Sequence, residues 1–146
     1  MLATRHLIDA TEVYPRLFQG SRPLPNTVGH FDLVVLAAME YQPSHHDLGA
    51  KAVVHSPLDD GPPMTPEERR KAVSAAMYAS HSLRSGGVVL VTCWQGLNRS
   101  GLITALTLVM GKKMRVDEAV RLVRRARGQN ALTNPHFLNF LARASR

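Results

Sequence analysis

The 146-residue sequence predicts an α/β domain with a small, mostly parallel central sheet flanked by helices. Apolar runs of strand length at 31–38, 52–55 and 88–92 are continuous rather than alternating, as in strands that are buried on both faces. After residue 65 the chain instead shows longer segments whose apolar residues recur at helical spacing. The length suits one hydrophobic core, so we expect a single domain over residues 1–146.

Strands and turn-rich connections dominate the first half of the chain. A short strand is expected within 13–20, followed by a proline-containing connection. The apolar runs at 31–38 and 52–55 predict two buried strands, separated by a loop at 41–49. The segment 56–63 holds three prolines and a glycine, which predicts a loop with few backbone choices.

The first long helix has a clear start and stop. Thr65 can cap it, Pro66 suits the first helical position, and Glu68 completes a capping box. Glycines at 86–87 end it, and the run 88–92 then predicts a further strand.

Three more helices are predicted in the rest of the chain. The first covers 100–110, and the second begins near Asp117 and ends in an arginine-rich segment, the order that the helix dipole favours. Asn134 followed by Pro135 predicts the start of the last helix.

Composition narrows the class of protein. The hydrophobic content of 45% and charged content of 20% argue against global disorder. Lysine and arginine outnumber aspartate and glutamate by 18 to 11, which favours an anionic partner such as a phosphorylated substrate, nucleic acid or an acidic membrane. We interpret the arginines at 121–127 as a solvated helix face. No apolar run approaches the roughly 18 residues that span a bilayer, and residues 1–6 show no secretory signal.

The chain has one cysteine, Cys93. A single cysteine excludes an internal disulfide and a multi-cysteine metal site, and it fits a reducing compartment. We therefore expect a cytoplasmic protein. We interpret the pair His45-His46 as part of a loop rather than a metal site, and we expect no metal and no cofactor.

The segment from Cys93 to Gly101 predicts a phosphate-binding loop with a nucleophile in it. Cys93 ends a strand and Arg99 begins a helix, so the intervening backbone N–H groups and the helix dipole favour a bound anion. The positive potential of the helix start and of Arg99 also favours the thiolate form of Cys93 over the thiol. Gly96 allows a bend with positive φ. The predicted phosphate-binding residues are Trp94, Gln95, Gly96, Leu97, Asn98 and Arg99.

These residues suit the hydrolysis of a phosphate ester through a phosphocysteine. Cys93 would attack phosphorus, the Arg99 guanidinium would hold phosphate oxygens, and Ser100 would donate to the sulfur as it leaves. A separate acid must protonate the leaving oxygen. Asp59 and Asp60, in a proline-rich loop after a strand, are the candidates, and the residue types do not choose between them.

The pattern Cys93-x5-Arg99-Ser100 resembles the signature of cysteine-dependent protein tyrosine phosphatases, and in particular their small dual-specificity branch. Segments 17–21, 56–63 and 134–137 are similar to that branch in the right order. The resemblance implies a protein tyrosine phosphatase-like fold and implies Cys93 as nucleophile, Arg99 as phosphate clamp and Ser100 as helper for thiolate departure. The family pattern Pro-aliphatic-x-Asp maps the general acid to Asp60.

One position departs from the family pattern. Thr92 stands where the family usually has a histidine that helps to order the loop and favour the thiolate. The leading hypothesis is a monomeric phosphatase acting on phosphotyrosine, with phosphoserine and phosphothreonine as further substrates; nucleic acid is a less favoured partner than a phosphorylated protein. The alternatives are an RNA 5′-triphosphatase-like enzyme, which the basic charge would suit, and a non-catalytic phosphate-binding module, which Thr92 motivates.

Overall fold

A computed structural model describes residues 8–145 of the chain. The prediction for residues 1–6 therefore lies outside the described part. The described strands are β1 (Ala10–Tyr14), β2 (Leu17–Gly20), β3 (Leu33–Ala38), β4 (Val53–Leu58) and β5 (Val89–Thr92). The described helices are α1 (His45–Leu48), α2 (Pro66–Arg84), α3 (Arg99–Gly111), α4 (Val116–Arg127) and α5 (Pro135–Ala144).

The strands form one sheet in the order β1-β2-β5-β3-β4. The edge strand β1 is antiparallel to β2, whereas the β2–β5, β5–β3 and β3–β4 pairs are parallel. This confirms the predicted α/β class with a mostly parallel sheet. At the centre, Thr92 of β5 is in register with Gly20 on one side and Leu36 on the other. The carboxyl ends of four strands thus meet at one edge, where ligands bind in such sheets.

The strands β3 and β5 are buried on both faces, as predicted. The same prediction was wrong for 52–55, because β4 is an edge strand in which Val53 and Val54 are half-buried and His55 is exposed. Leu33, Val35 and Ala37 of β3 pack in the larger core, which also contains the inner faces of the four long helices. Val34 and Leu36 pack on the opposite face in a smaller core with residues of the 28–31 segment and α1. Both sheet faces are therefore covered, which explains why the strand residues do not alternate with polar ones.

The predicted start of α2 is confirmed in detail. The Glu68 backbone N–H donates to the Thr65 hydroxyl at 3.1 Å, and the Thr65 N–H donates to the Glu68 carboxylate at 3.0 Å. The second Glu68 oxygen accepts the Asp59 backbone N–H at 2.8 Å. The capping box therefore also holds the beginning of the segment that follows β4.

Three predictions of local structure were incomplete. The loop predicted at 56–63 begins only after Leu58, because residues 56–58 are the end of β4. The single strand expected within 13–20 is a hairpin, β1–β2, whose turn places Arg16 at φ 67°. Contacts distant in sequence support this turn, because the Arg16 guanidinium donates to the carbonyls of Leu83 and Gly87 at 2.8 and 2.9 Å. The loop at 41–49 contains the one-turn helix α1, which Ser44 caps. Within residues 8–145, no helix has both the length and the apolar character needed to cross a bilayer.

Candidate active site

The predicted strand–loop–helix arrangement is present. Cys93 directly follows β5 and Arg99 begins α3, so residues 93–99 form the connection, which we call the phosphate loop. Gly96 has φ 74°, the left-handed conformation that the sequence suggested. A methyl group there would lie 2.5 Å from the Gly20 carbonyl carbon and would also meet the Arg127 guanidinium. Glycine is therefore required at position 96 by both its conformation and its surroundings.

Four successive carbonyl groups of the phosphate loop are held from outside by donors of other segments. Two of the bonds come from backbone N–H groups: Arg22 N–H donates to Trp94 O at 3.3 Å, and Leu132 N–H donates to Leu97 O at 3.1 Å. The Arg127 guanidinium donates to Gln95 O at 3.2 Å and to Gly96 O at 3.0 Å. Gly96 O also accepts from the Gln19 side-chain amide at 3.0 Å. Within the described chain, the backbone N–H groups of residues 94–98 donate to no acceptor. This leaves a row of donors for an anion, the arrangement that binds phosphate in loops of this kind.

The proposed nucleophile and its neighbour are in contact. Cys93 Sγ lies 3.2 Å from Ser100 Oγ and hydrogen-bonds to it, and both residues are buried. A hydroxyl can donate as well as accept, so Ser100 can donate to the sulfur once the thiol has lost its proton. Cys93 and Ser100 thus have the relative position that their expected roles need.

Arg99 is fixed by a glutamate that the sequence did not point out. Its side chain is 8% exposed, and its two terminal nitrogens donate to the Glu40 carboxylate at 2.6 and 2.9 Å. Glu40 raises the pKa of Arg99, and Arg99 lowers the pKa of Glu40, so the pair stays charged. The Arg99 Nε is buried and has no partner among the described residues. A phosphate oxygen bound to the loop would provide the missing acceptor.

Asp60 and Asp59 lie in different surroundings. Asn134 Nδ2 donates to the Asp60 carbonyl at 2.8 Å and to its carboxylate at 3.2 Å. The Arg99 pKa is raised mainly by Glu40, and Asp60 adds a smaller contribution in the same direction. Asp59 is exposed, and its carboxylate has no hydrogen-bond partner in residues 8–145. The geometry therefore favours Asp60 as the carboxylate that faces the phosphate loop. We call residues 59–64 the acid loop.

Asn98 links the two loops. Its side-chain oxygen accepts the backbone N–H groups of Thr133 and Asn134 at 2.8 and 3.1 Å. Asn134 in turn caps α5 by accepting the His136 N–H at 2.9 Å, while its amide nitrogen holds Asp60. The sequence identified Asn134 as a helix cap only. Its second role depends on a residue that is distant in sequence.

Thr92, at the position of the family histidine, is buried and engaged in the sheet. Its hydroxyl donates to the Val35 carbonyl of the neighbouring strand at 3.0 Å. The hydroxyl therefore bonds to β3, and because it is uncharged it offers no positive charge to the Cys93 sulfur.

The arginines of α4 are not all solvated, which corrects the prediction for 121–127. The Arg127 side chain is 8% exposed and pairs with Asp9 at 2.9 Å, and it lowers the pKa of that carboxyl. Arg127 also holds two carbonyls of the phosphate loop, and Arg124 donates to the carbonyls of Ala131 and Leu132 at 3.2 and 3.0 Å. The prediction was wrong for these two residues because their acceptors lie outside the helix. Arg121 and Arg125 are exposed, as expected.

The described residues contain no group of three or more histidine, cysteine, aspartate or glutamate side chains that could hold a metal ion. His45 and His46 are exposed on α1.

Comparison with known proteins finds one matching protein family and several solved structures with a similar fold. The family model for the catalytic domain of dual specificity phosphatases matches residues 23–146. Tk-PTP in its active form superposes with a TM-score of 0.78 at 22% identity, over 94% of this chain and 96% of that one. Human DUSP28 gives 0.76 at 23% identity, over 93% and 92% of the two chains. The human tyrosine phosphatase-like serine/threonine/tyrosine-interacting protein gives 0.76 at 20% identity, over 92% and 94%. None of the curated protein sequences compared with this chain matches it.

Proposed function

Since this chain belongs to the dual specificity phosphatase family, we propose that it dephosphorylates phosphotyrosine, and also phosphoserine and phosphothreonine, with Cys93 as its nucleophile. The family makes the chain a cysteine-dependent protein phosphatase that works through a phosphocysteine. The role of each residue and the range of substrates are our proposals. We further propose that the enzyme is cytoplasmic, since its thiol needs a reducing compartment. We also propose that it is a monomer.

The first step transfers the phosphoryl group to sulfur. The Cys93 thiolate attacks phosphorus, the S–P bond forms, and the ester P–O bond breaks. The Asp60 carboxylic acid gives its proton to the departing oxygen, which leaves as an alcohol or phenol. The N–H groups of residues 94–98 and the Arg99 guanidinium bind the phosphate oxygens and stabilise the transition state.

The second step returns the enzyme to its starting state. Water attacks phosphorus, the Asp60 carboxylate takes a proton from that water, and the S–P bond breaks. The electron pair returns to the Cys93 sulfur, where a hydrogen bond from Ser100 stabilises the thiolate. Inorganic phosphate is then released.

One observation supports this proposal above all others. Among residues 8–145, the backbone N–H groups of the phosphate loop have no acceptor, and neither has the buried Arg99 Nε; both lie beside the Cys93–Ser100 contact. Buried donors without partners are uncommon in folded proteins unless a ligand or water satisfies them. A phosphate monoester supplies acceptors for these donors and an electrophile for the sulfur.

A small aryl phosphate tests the proposal. We expect turnover by the wild type, none above background by Cys93→Ser, and accumulation of a phosphoenzyme by Ser100→Ala, seen as the mass of one added phosphoryl group. Cys93→Ser is the matched control because it exchanges only sulfur for oxygen and leaves the chain without a thiol. A wild type no faster than Cys93→Ser would refute the phosphatase assignment and would favour a phosphate-binding module.

A second candidate activity is the removal of phosphate from the 5′ end of triphosphorylated RNA. The net charge of +7 supports it, because a basic surface attracts a polyanion. Phosphate release from triphosphorylated RNA and from a phosphotyrosine peptide, compared at equal enzyme concentration, decides between the two substrates.

A further inference from the structure

Arg22 lies at the rim of the phosphate loop and is not used by the chemistry described above. Its guanidinium carbon is 4.2 Å from the centre of the Trp94 ring and 5.9 Å from the centre of the Tyr41 ring. Both distances are within the range of cation–π interactions. Trp94 directly follows Cys93 in the phosphate loop, so Arg22 lies beside this loop.

The backbone around Arg22 is fixed to the active site. The Arg22 N–H donates to the Trp94 carbonyl at 3.3 Å, and the Tyr41 hydroxyl donates to the Pro23 carbonyl at 2.7 Å. Tyr41 follows Glu40, which holds Arg99. The phosphate clamp and the Arg22 segment are therefore attached to the same short stretch after β3.

The Arg22 charge is available to a ligand. Within residues 8–145 its guanidinium has no carboxylate at ion-pair distance and donates no hydrogen bond, and the side chain is exposed. The nearby Glu40 is already bound to Arg99, and Arg127 is bound to Asp9. Stacking on Trp94 restrains the guanidinium but leaves its N–H groups free to bind an anion, and a restrained side chain loses less entropy on binding.

We propose that Arg22, stacked on Trp94, binds a second anionic group of the substrate next to the phosphate that is removed. This inference rests on the proposed phosphatase function. The substrate class that fits is a phosphopeptide with an acidic or phosphorylated residue close to the phosphoresidue. A carboxylate and a phosphate share the geometry that a guanidinium recognises, so the experiment includes both.

The experiment measures kcat/KM for three phosphotyrosine peptides that differ only in the flanking residues: neutral, acidic, and carrying a second phosphate. For the wild type we expect the acidic and doubly phosphorylated peptides to be preferred over the neutral peptide by roughly three- to tenfold, since one partly exposed ion pair contributes modestly. Arg22→Gln should bring that ratio close to one. Arg22→Lys, which keeps the charge but loses the planar group, should give an intermediate ratio.

The matched control is Arg121→Gln, which removes the same charge from an exposed arginine on α4 and should leave the ratio as in the wild type. A second signature is salt: the preference should shrink as ionic strength rises, because exposed charges are screened. The larger of the two preferences identifies the carboxylate or the phosphate as the favoured source of the anion.

Several outcomes would overturn the inference. A flat ratio in a wild type that hydrolyses the aryl phosphate would refute it and leave the phosphatase function intact. A preference that survives Arg22→Gln would assign it to another group. Faster turnover of a soluble inositol bisphosphate than of either acidic peptide would refute the peptide class. A wild type inactive on every substrate would remove the proposed function, and this inference with it.

Discussion

The phosphate loop and the acid loop are held in very different ways, although they must meet on one substrate. Four consecutive carbonyls of the phosphate loop accept hydrogen bonds from β2, the β2 exit, α4 and the α4–α5 connection. A methyl group added at Gly96 would overlap the backbone of Gly20, whereas one added at Gly61 in the acid loop would meet nothing within 4 Å. The first loop is therefore enclosed by the fold at Gly96, whereas the second is open at Gly61.

The difference indicates that the two loops have separate roles, one in binding phosphate and one in proton transfer. The proposed nucleophile and the proposed phosphate donors are preorganised, which is how enzymes stabilise charge in a transition state. Asp60 is held chiefly by hydrogen bonds from Asn134, and residues 61–63, which follow it in the acid loop, are exposed. The proposed acid therefore depends on one side chain, Asn134, for its position beside the phosphate loop.

The largest effect is expected from Asp60→Asn. Loss of the general acid should lower kcat for phenyl phosphate by about 10²- to 10⁴-fold. The loss should be smaller for an ester of a more acidic phenol, which leaves without a proton. Steady-state kinetics on the two esters measures both values. Asp59→Asn is the matched control and should change kcat little, so equal losses in the two variants would contradict our choice of acid.

Gly96→Ala tests the enclosed loop. We expect kcat/KM to fall by about 100-fold. The added methyl group would overlap Gly20 and Arg127, so the loop must move and its backbone N–H groups would shift away from the phosphate. Gly86→Ala is the control for conformation: Gly86 has φ 84° but nothing within 4 Å of an added methyl group. Each variant should lose roughly 1–2 kcal/mol of unfolding free energy, because alanine is disfavoured in the left-handed conformation. Urea unfolding should show a further loss at position 96 only, and equal losses would mean that the loop is less enclosed than described.

Glu40→Gln should lower kcat/KM by about tenfold, because a neutral amide cannot accept both terminal nitrogens of Arg99. Glu118→Gln, at an exposed glutamate on α4, is the kinetic control. An unchanged kcat/KM in Glu40→Gln would show that Arg99 is positioned without its carboxylate partner.

The same pair predicts a pH dependence of stability. Arg99 lowers the pKa of Glu40 below its usual value of 4.5, so Glu40 stabilises the fold fully above that pH. The contribution is lost as the pH falls through the lowered pKa. The difference in unfolding free energy between wild type and Glu40→Gln should thus be constant from pH 5 to 8 and shrink in more acidic solution. A difference that grows in acid would contradict the assignment.

The smallest effect is expected from Asn134→Ser. Serine can still cap α5, but it lacks the amide that holds Asp60. We expect kcat for phenyl phosphate to fall by about two- to tenfold, the size of one or two hydrogen bonds, with little change for an ester of an acidic phenol. Kinetics on the two esters, together with the unfolding midpoint, separates this effect from a loss of stability. Equal losses on both esters would place the role of Asn134 in the fold rather than in the acid.

Sequence-based predictions succeeded where the signal was local. The capping box at Thr65, the helix start at Asn134, the bend at Gly96 and the strand–loop–helix arrangement around Cys93 each depend on neighbouring residues. The hairpin turn at Arg16 was missed because its left-handed conformation is supported by contacts to residues 67 and 71 positions away.

The supports of the site could not be predicted in this way. Glu40 is 59 positions from Arg99, Gln19 is 77 from Gly96, and Asn134 is 74 from Asp60. An isolated glutamate after a strand or a glutamine within one carries no periodicity or motif. The roles of Glu40 and Gln19 follow from the strand order, which brings the ends of β2, β3, β4 and β5 to one edge. The role of Asn134 follows from the packing of the α5 start beside the two loops.

The donors that surround the phosphate loop also have a consequence for how the enzyme becomes active. They come from segments 31 to 77 positions away along the chain, so the loop can take its shape only after β2 has paired with β5 and α4 has packed on β1 and α3. We therefore expect helical circular dichroism to recover during refolding before the loop has formed. We expect activity to return only with the final packing step, so that catalysis reports when this chain has completed its tertiary structure.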